Sequence, residues 1–443
     1  MIGLATLPHD TATLSRREKS RTAIRGAFFS EFIDMFDIYL PTVVLSPILF
    51  FFRPAAITPG TAAILTSLVF ITTLLGRPIG AFIFGVVADN VGRRMASIYS
   101  VSGFGFITFL IAILPGFDSI GIASYWLLVL LRFLDGICLG GGYTGAMPLA
   151  IEYAEKPRRG FVGGLILAAF PLAYVVINLI AMLMFALFPL HGAQSPYVHW
   201  GWRIPFVIGA VLAGLLALYY AYKVPESEVW ASETAEGKQK LPLRDLITGR
   251  SAWGLLQVLV MMTGFWLTQN IITIFIPTTL LLHILHLPKY ELTSTLLISY
   301  LVLFFSYIAS GMIGQAIGRR RFFLIVGPLI AIFGGGIMYA LVSIRLGLPL
   351  VVLLVCLMSV LVTSPWGVIV TYINERFVTD VRATGFGLGF SLSVVIPSFY
   401  AFYMNWLGII MPFTLTPVVL LVIGGLLGAL GAFIGPETRN VDF

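Results

Sequence analysis

Apolar stretches recur along the whole chain, separated by short polar segments. Each is about 20 residues long, enough to cross a hydrocarbon core of about 30 Å as a helix. Charged residues make up only 11% of the 443 residues, against about 25% in a soluble domain. The sequence therefore predicts an all-α polytopic membrane protein. We place its twelve spans near residues 27–51, 62–87, 95–114, 124–147, 160–187, 203–223, 252–284, 292–316, 321–343, 348–373, 384–409 and 412–434.

Positive charge is distributed very unevenly between the predicted loops. Of the 27 Lys and Arg residues, only Arg53, Lys289 and Arg345 fall in loops on one side of the bilayer. Loops rich in Lys and Arg remain in the cytoplasm. Both termini are therefore expected to be cytoplasmic, in a multi-pass protein of the cell (inner) membrane. The net charge of +7 then reflects orientation in the bilayer, and no nucleic-acid partner is expected.

The same loop signatures occur twice in the same order. GVVADNVGRR (85–94) follows the second predicted span, and GMIGQAIGRR (311–320) follows the eighth. A glutamate that precedes an arginine by seven residues follows the fourth and the tenth spans. Pro-Glu-Ser and Pro-Glu-Thr follow the sixth and the twelfth. A fixed order of repeated signatures indicates an internal duplication.

The duplication predicts two parallel six-helix halves. We assign residues 27–223 to the first half and 252–434 to the second, with a cytoplasmic linker at 224–251. A basic leader (1–26) and a tail (435–443) complete the chain, which we expect to be a monomer. Two such halves can rock about a midplane site and expose it to each side in turn.

The repeated charges and glycines are expected to form a cytoplasmic gate. Asp89 can pair with Arg93 or with the N-terminus of a neighbouring helix. The recurring Glu and Arg can bridge the halves and hold one state closed. The alternative is that these charges only satisfy helix ends and topology. The predicted gate comprises Gly85, Asp89, Gly92, Arg93, Arg94, Glu152, Arg159, Gly311, Gly318, Arg319, Glu375 and Arg382.

Three carboxylates interrupt the first apolar stretch, EFIDMFDIYL (31–40). Glu31 is expected near the cytoplasmic edge, as a boundary residue. Asp34 and Asp37 lie deeper and one turn apart, so they share a face that must point into the bundle. Two carboxylates this close cannot both stay ionised at low cost. At least one of the two aspartates is therefore expected to take up a proton.

The best partner for these aspartates is Arg132 in the fourth span, which is followed one turn later by Asp135. A charge at the middle of a spanning helix costs about 2.5–3.5 kcal/mol unless it is paired, hydrated or neutralised. We predict a proton site made by Asp34, Asp37, Arg132 and Asp135, and the alternative is a purely structural ion-pair cluster. Arg77, in the second span, is expected to pair with Asp34 or water.

GVVADNVGRR resembles the cytoplasmic signature of the major facilitator superfamily, G-x-x-x-D-x-x-G-R-R, and the resemblance extends over the whole chain. ERFVTDVRATGFGLG (375–389) is similar to a stretch of the metabolite:proton symporters. WGWRIPF (200–206) and the Pro-Glu-Ser/Thr ends are similar to segments of that group and of the related sugar porters. The resemblance implies the major facilitator fold and a secondary active transporter.

The resemblance also extends to the intramembrane charges. Metabolite:proton symporters have an acid–x–x–Asp pair in helix 1 and an arginine in helix 4, which Asp34, Asp37 and Arg132 match. Two positions depart from the pattern: Gln315 replaces the acid in the second loop copy, and Gly142 stands where those symporters usually have Glu.

Polar and aromatic residues at mid-depth are the candidate substrate contacts, although aromatic residues in spans more often pack or anchor. Pro277 interrupts the seventh span beside the polar sequence TQN, and broken helices often line binding sites. The predicted substrate-binding residues are Arg132, Tyr174, Asn178, Trp266, Gln269, Asn270, Thr273, Tyr300, Trp366 and Tyr372.

The function predicted is alternating-access, proton-coupled symport of a small organic acid or related metabolite. A sugar or polyol symporter is the alternative, and a drug exporter or a membrane-embedded enzyme is less favoured. The sequence has no nucleotide-binding P-loop and no catalytic motif. Neither the two cysteines nor the scattered histidines form a metal-binding pattern, and no cofactor is expected.

Overall fold

The computed structural model describes residues 15–54, 59–192, 194–235, 244, 246, 248 and 251–442. Twelve helical segments within these residues are long and apolar enough to cross a membrane, as predicted. We number them α1 to α12 in chain order: Arg16–Phe52, Leu68–Asn90, Arg93–Ala112, Ala123–Tyr153, Lys156–Leu187, Tyr197–Tyr222, Ser251–Ile284, Tyr290–Ile317, Arg319–Ser343, Leu348–Arg376, Thr379–Leu407 and Phe413–Phe433.

The first helix begins well before residue 27, inside the predicted leader. Ser15 caps it: the Ser15 hydroxyl accepts the N–H of Glu18 at 3.3 Å, and the Glu18 carboxylate accepts the N–H of Ser15 at 2.9 Å. This reciprocal capping box satisfies two backbone donors that a helix otherwise leaves free. The helix therefore starts at Arg16 and not at residue 27. Every residue of the first span thus lies further from the helix N-terminus than predicted.

The predicted linker (224–251) lies only partly within the described residues. Its first part forms a short linker helix, Glu228–Ala235. Lys19 of α1 contacts Glu228 at 2.8 Å, and the indole N–H of Trp230 donates to the carbonyl of Asp89 at 2.8 Å. The linker helix is thus attached to the first half, on the same face as the two loops that end in Gly-Arg-Arg at 92–94 and 318–320, which we call the GRR loops.

Glycines allow α2 and α4 to pack with their backbones in contact. A methyl group on Gly80 would overlap the carbonyl oxygen of Ile137, and one on Gly140 would overlap the carbonyl oxygen of Arg77. Small residues at such crossings are common between membrane helices because close packing supplies most of the attraction there. The crossing holds Arg77 of α2 and Arg132 of α4 next to α1.

The two halves meet mainly along two pairs of helices, α2 with α11 and α5 with α8. The second crossing again depends on glycine, since a methyl group on Gly160 of α5 would overlap the carbonyl oxygen of Gly311 of α8. Loops between α2 and α3, α4 and α5, α8 and α9, and α10 and α11 share one face of the bundle, which we call the basic face.

We expect the Gly80→Ala variant to be destabilised by at least about 1–3 kcal/mol, because its methyl group forces α2 away from α4. Thermal unfolding of the purified protein in detergent measures this. Gly214→Ala in α6 is the matched control, since nothing lies within 4 Å of its added methyl group. Equal melting temperatures for the two variants would contradict the close α2–α4 crossing.

Candidate functional site

A cavity of about 720 Å³, including its opening to solvent, lies between the two halves. The first half contributes one carboxylate and one guanidinium, and the second half contributes amides and aromatic rings. The lining residues are Glu31, Met35, Ile38, Tyr39, Phe70, Leu74, Arg77, Leu167, Phe170, Trp266, Gln269, Asn270, Thr273, Ile274, Tyr307, Trp366, Phe390 and Val394.

Half of the predicted substrate contacts line this cavity, and they come from α7 and α10. α7 changes from an α-helix to a π-helix at Ile271, ahead of Pro277 and just after its polar residues. Asn270 donates to the carbonyl of Pro397 at 2.9 Å, and the indole of Trp266 packs on that of Trp366 with ring centroids 4.5 Å apart. The predicted residues in the lining are Trp266, Gln269, Asn270, Thr273 and Trp366.

The other predicted contacts are not in the lining. Tyr174 stacks on Tyr300 with ring centroids 3.9 Å apart, which joins α5 to α8, and Asn178 donates to the carbonyl of Tyr174 at 2.8 Å. Tyr372 lies near the basic face, where its hydroxyl faces the carbonyl of Pro436 at 3.4 Å. Arg132 is fully buried among helices of the first half. Residue type and depth predicted these contacts, but rotation of each helix directs the side chains elsewhere.

Glu31 is not a boundary residue. Its side chain lines the cavity and only 3% of the residue is exposed. Because α1 starts at Arg16, Glu31 lies about four turns inside the helix. Its Oε2 atom is enclosed and has no hydrogen-bond partner among the described residues. The S-x-x-E capping sequence at Ser15 was the signal in the sequence that would have placed Glu31 correctly.

Asp34 pairs with Arg77 rather than with Arg132. The Arg77 guanidinium donates to the Asp34 carboxylate and lies over the ring of Tyr143, 5.0 Å from its centroid. Both charged residues are at most 3% exposed. Since Arg77 also lines the cavity, it connects the buried aspartate to the space between the halves.

Asp37 and Asp135 share Arg132. The Arg132 Nη1 atom lies 3.2 Å from Asp37 and 2.9 Å from Asp135. Asp37 also accepts from the hydroxyl of Thr108 at 2.7 Å, and Arg132 donates to the hydroxyl of Thr73 at 3.1 Å. The cluster is at most 1% exposed, so no bulk water compensates its charges.

The two clusters together contain more acid than base. They hold four carboxylates, counting Glu31, and two guanidinium groups. A buried charge without a partner is costly enough that the group neutralises instead. The arrangement therefore favours protonation of at least one carboxylate, and so it can bind and release protons.

Asp89 joins the halves at the basic face. Its carboxylate accepts the N–H of Ala383 at 3.2 Å and that of Thr384 at 2.9 Å, both near the N-terminal end of α11. Arg93 donates to the same carboxylate at 3.2 Å. Asp89 thus makes both of the contacts that the sequence allowed. Gly85 permits them, since a methyl group there would press on Thr384 at 2.8 Å.

The repeated Glu and Arg residues pair across the halves. Glu152 of the first half contacts Arg382 of the second at 2.6 Å, and Arg159 of the first half lies 3.8 Å from Glu375 of the second. Each glutamate also pairs within its own half. The internal pairs are Arg93 with Glu152 at 3.1 Å and Arg319 with Glu375 at 3.2 Å.

Gln315 keeps the cross-half contact at the position where the second loop copy lacks an acid. Its amide oxygen accepts the N–H of Gly160 at 3.1 Å and a guanidinium N–H of Arg319 at 2.6 Å. The neutral amide therefore occupies the place that Asp89 has in the first copy. Among the described residues, Arg94 makes no hydrogen bond to the second half and instead donates to the carbonyl of Tyr220 at 3.0 Å in its own half.

The Pro-Glu-Ser and Pro-Glu-Thr segments cap the helices that follow the GRR loops. Glu226 accepts the N–H of Arg93 at 2.9 Å, and Glu437 accepts the N–H of Arg319 at 2.9 Å. A carboxylate at a helix N-terminus satisfies free donors and the helix dipole. The sequence revealed these segments only as markers of the repeat, because a cap supplied by a distant loop has no local pattern.

Two loop glycines make room for these caps. Gly92 has φ 124° and Gly318 has φ 105°, a region that favours glycine. A methyl group at either position would overlap the capping carboxylate. The glycines, caps and ion pairs form one network on the basic face. This network, which we call the latch, holds the two halves together there.

Twelve spanning helices in two halves, with a cavity between the halves and a latch at one face, define a carrier-type membrane transporter. The chain belongs to the Major Facilitator Superfamily, whose family model matches residues 27–401. It is a multi-pass transporter of the cell membrane that carries small-molecule metabolites, and it is not an enzyme.

Curated relatives cover most of the chain. The inner membrane metabolite transport protein YhjE of Escherichia coli K12 is 28% identical over 411 residues, 91% of each chain. The alpha-ketoglutarate permease of the same strain is 29% identical over 401 residues, 88% of each chain. The E. coli K12 proline/betaine transporter is 24% identical over 437 residues, 95% of this chain and 84% of its own.

The fold is also similar to that of a solved transporter. The structure of the proton:xylose symporter XylE, bound to 6-bromo-6-deoxy-D-glucose, has a TM-score of 0.74 and 18% identity, and the match covers 96% of this chain and 97% of that chain. Because only 18% of the aligned residues are identical, this similarity shows the fold alone.

We expect Glu152→Gln to weaken the latch, because a buried ion pair that loses one member costs about 3–5 kcal/mol. Spin labels at Glu155 and Val378, exposed on opposite halves of the basic face, report the separation. In protein whose two native cysteines are replaced by serine, Glu152→Gln should increase the population with widely separated labels.

Glu228→Gln is the control for this experiment. Glu228, in the linker helix, pairs with Lys19 of α1 rather than across the two halves and is half-exposed, so the distance distribution of Glu228→Gln should match that of the parent protein. If Glu152→Gln and Glu228→Gln give the same distribution as the parent, the latch does not hold the halves together.

Proposed function

We propose that this transporter is a proton-coupled symporter for a small organic acid, working by alternating access. The observation that carries the proposal is the excess of buried carboxylates over guanidinium groups beside the cavity. Because carboxylates outnumber guanidinium groups, a proton can neutralise one carboxylate while both guanidinium groups keep an ion-pair partner. Proton release on the other side of the membrane then supplies the free energy for uptake.

The proposed proton site is the cluster of Asp37, Arg132 and Asp135, extended by Asp34. One guanidinium nitrogen faces both Asp37 and Asp135. Protonation of either aspartate leaves a single ion pair with Arg132, which is the arrangement least costly to bury.

Arg77 is the proposed link between substrate and proton, in place of Arg132. It is the guanidinium that lines the cavity, it already holds Asp34, and its Nε has no partner among the described residues. A substrate carboxylate that draws Arg77 toward the cavity weakens its hold on Asp34. Asp34 then accepts a proton more readily, so anion and proton binding favour each other.

The latch at the basic face provides the proposed cytoplasmic gate. With the predicted orientation, the basic face is cytoplasmic and the conformation described is closed on that side. Release of Glu152 from Arg382 and of Asp89 from the N-terminal end of α11 would let the halves separate there. The cavity would then open to the cytoplasm.

A sugar or polyol symporter is the second candidate. Gln269, Asn270 and the indole N–H of Trp366 are groups that hydrogen-bond hydroxyls, and all three residues line the cavity. The organic-acid assignment is preferred because a guanidinium with an unpartnered N–H faces the same space. An acid as substrate is also consistent with the name of the alpha-ketoglutarate permease among the relatives.

We expect Asp34→Asn and Asp37→Asn proteins to lose accumulation driven by an imposed pH gradient, because an amide cannot carry the proton. Uptake into proteoliposomes should fall to the level of equilibration. Exchange of labelled for unlabelled substrate, which needs no net proton movement, should remain.

Asp118→Asn is the control, since Asp118 is exposed in the α3–α4 connection. Its gradient-driven accumulation should equal that of the parent protein. Gradient-driven accumulation at the parent rate in both Asp34→Asn and Asp37→Asn would rule out the proposed proton site. Uptake of neutral sugars but not of organic acids would favour the second candidate.

A further inference from the structure

Glu31 is a buried acid that the proposed proton site does not use. Its side chain lines the cavity, it is 3% exposed, and its Oε2 atom has no hydrogen-bond partner among the described residues. No ion pair joins it to Arg77 within the described structure, where Arg77 contacts Asp34 instead. An enclosed carboxylate oxygen without a donor is costly, and a cation or hydrogen-bond donor on a ligand would remove this cost.

Aromatic rings from both halves surround the space that Glu31 faces. Tyr39 lies beside Phe170, with ring centroids 5.8 Å apart, on the side of the first half. On the other side, the rings of Trp266, Trp366 and Phe390 pack together at 4.5–5.7 Å. Ring faces attract organic cations, most strongly in sites without water. A carboxylate together with aromatic walls is therefore suited to an ammonium group.

Unpartnered donors line the same cavity. The Nε of Arg77 and the indole Nε1 of Trp366 are buried and have no acceptor among the described residues. A ligand carboxylate would supply the acceptor that they lack. The lining thus contains one charged acceptor, Glu31, and one charged donor, Arg77, together with unpartnered neutral groups of Trp366, Tyr307 and Gln269. The two charged groups are complementary to a molecule that carries both charges.

We propose that the substrate is a zwitterion: a small organic acid that also carries an ammonium group. Its ammonium lies against Glu31 and the aromatic rings, and its carboxylate lies toward Arg77 and Trp366. This inference rests on the proposed function, since it narrows the organic acid to one class. It gives Glu31 a role in substrate selection, separate from the proton role of Asp34 and Asp37.

The test uses pairs of probes that have the same shape but differ in charge. Glycine betaine and 3,3-dimethylbutanoate differ by nitrogen or carbon at one position, and L-proline and cyclopentanecarboxylate differ in the same way. Equilibrium binding to the purified full-length protein is measured by calorimetry without any ion gradient. We expect at least one zwitterion to bind about tenfold or more tightly than its carbon isostere, because its cation engages a buried carboxylate.

The variant Glu31→Gln should remove this preference, lowering zwitterion affinity by about tenfold to a hundredfold while the isostere binds no more weakly than before. Glu31→Asp keeps the charge and should retain part of the preference, which guards against a general loss of folding. Asp118→Asn, an exposed acid remote from the cavity, should bind the probes as the parent does.

The inference is overturned if the isosteres bind as tightly as the zwitterions, if neither zwitterion binds, or if the preference for zwitterions survives in Glu31→Gln. If instead Glu31→Gln abolishes pH-driven uptake but leaves ligand preference unchanged, Glu31 carries the proton and the inference is wrong. Zwitterion-selective binding without gradient-driven uptake would refute only the proposed proton coupling, so the two failures are distinguishable.

Discussion

The interior of the first six helices holds Asp34, Asp37 and Asp135 together with Arg77 and Arg132, and Glu31 adds a further carboxylate at the cavity wall. Charges enclosed this deeply must be shared, neutralised or matched by a ligand. The glycine crossing of α2 and α4 makes the sharing possible, because it brings both guanidinium groups against α1. Proton coupling and substrate selection are both proposed as consequences of this single constraint.

The two halves keep the same architecture at the basic face and differ at the cavity. Glu226 and Glu437 cap equivalent helices, and Glu152 and Glu375 hold equivalent arginines. The cavity lining supplied by the second half, by contrast, has no charged residue among those described. Duplication accounts for the latch, whereas divergence of the cavity walls accounts for a site with charge on one side and rings and amides on the other.

The sequence predicted the twelve helices and the duplicated architecture correctly, because apolar length and repeated loops are local signals. It also identified Asp37, Arg132 and Asp135, which the structure brings into contact; their role in proton binding stays a prediction. The sequence offered Asp34 or water as the partner of Arg77, and the structure shows the pair with Asp34. It also offered Arg132 as the best partner of Asp34, because the choice between the two arginines depends on how three helices cross. Tyr300 shows the same limit, because the depth of a residue in a helix does not determine which way its side chain points.

Difference infrared spectroscopy of the purified transporter can detect the proposed proton, because a protonated carboxylic acid has a C=O stretch that a carboxylate lacks. We predict such a band at neutral pH in the unliganded protein, diminished in Asp34→Asn, Asp37→Asn or Asp135→Asn and unchanged in Asp118→Asn. A spectrum without this band, in which all of the buried acids are ionised, would contradict the claim that their excess over guanidinium groups stores a proton.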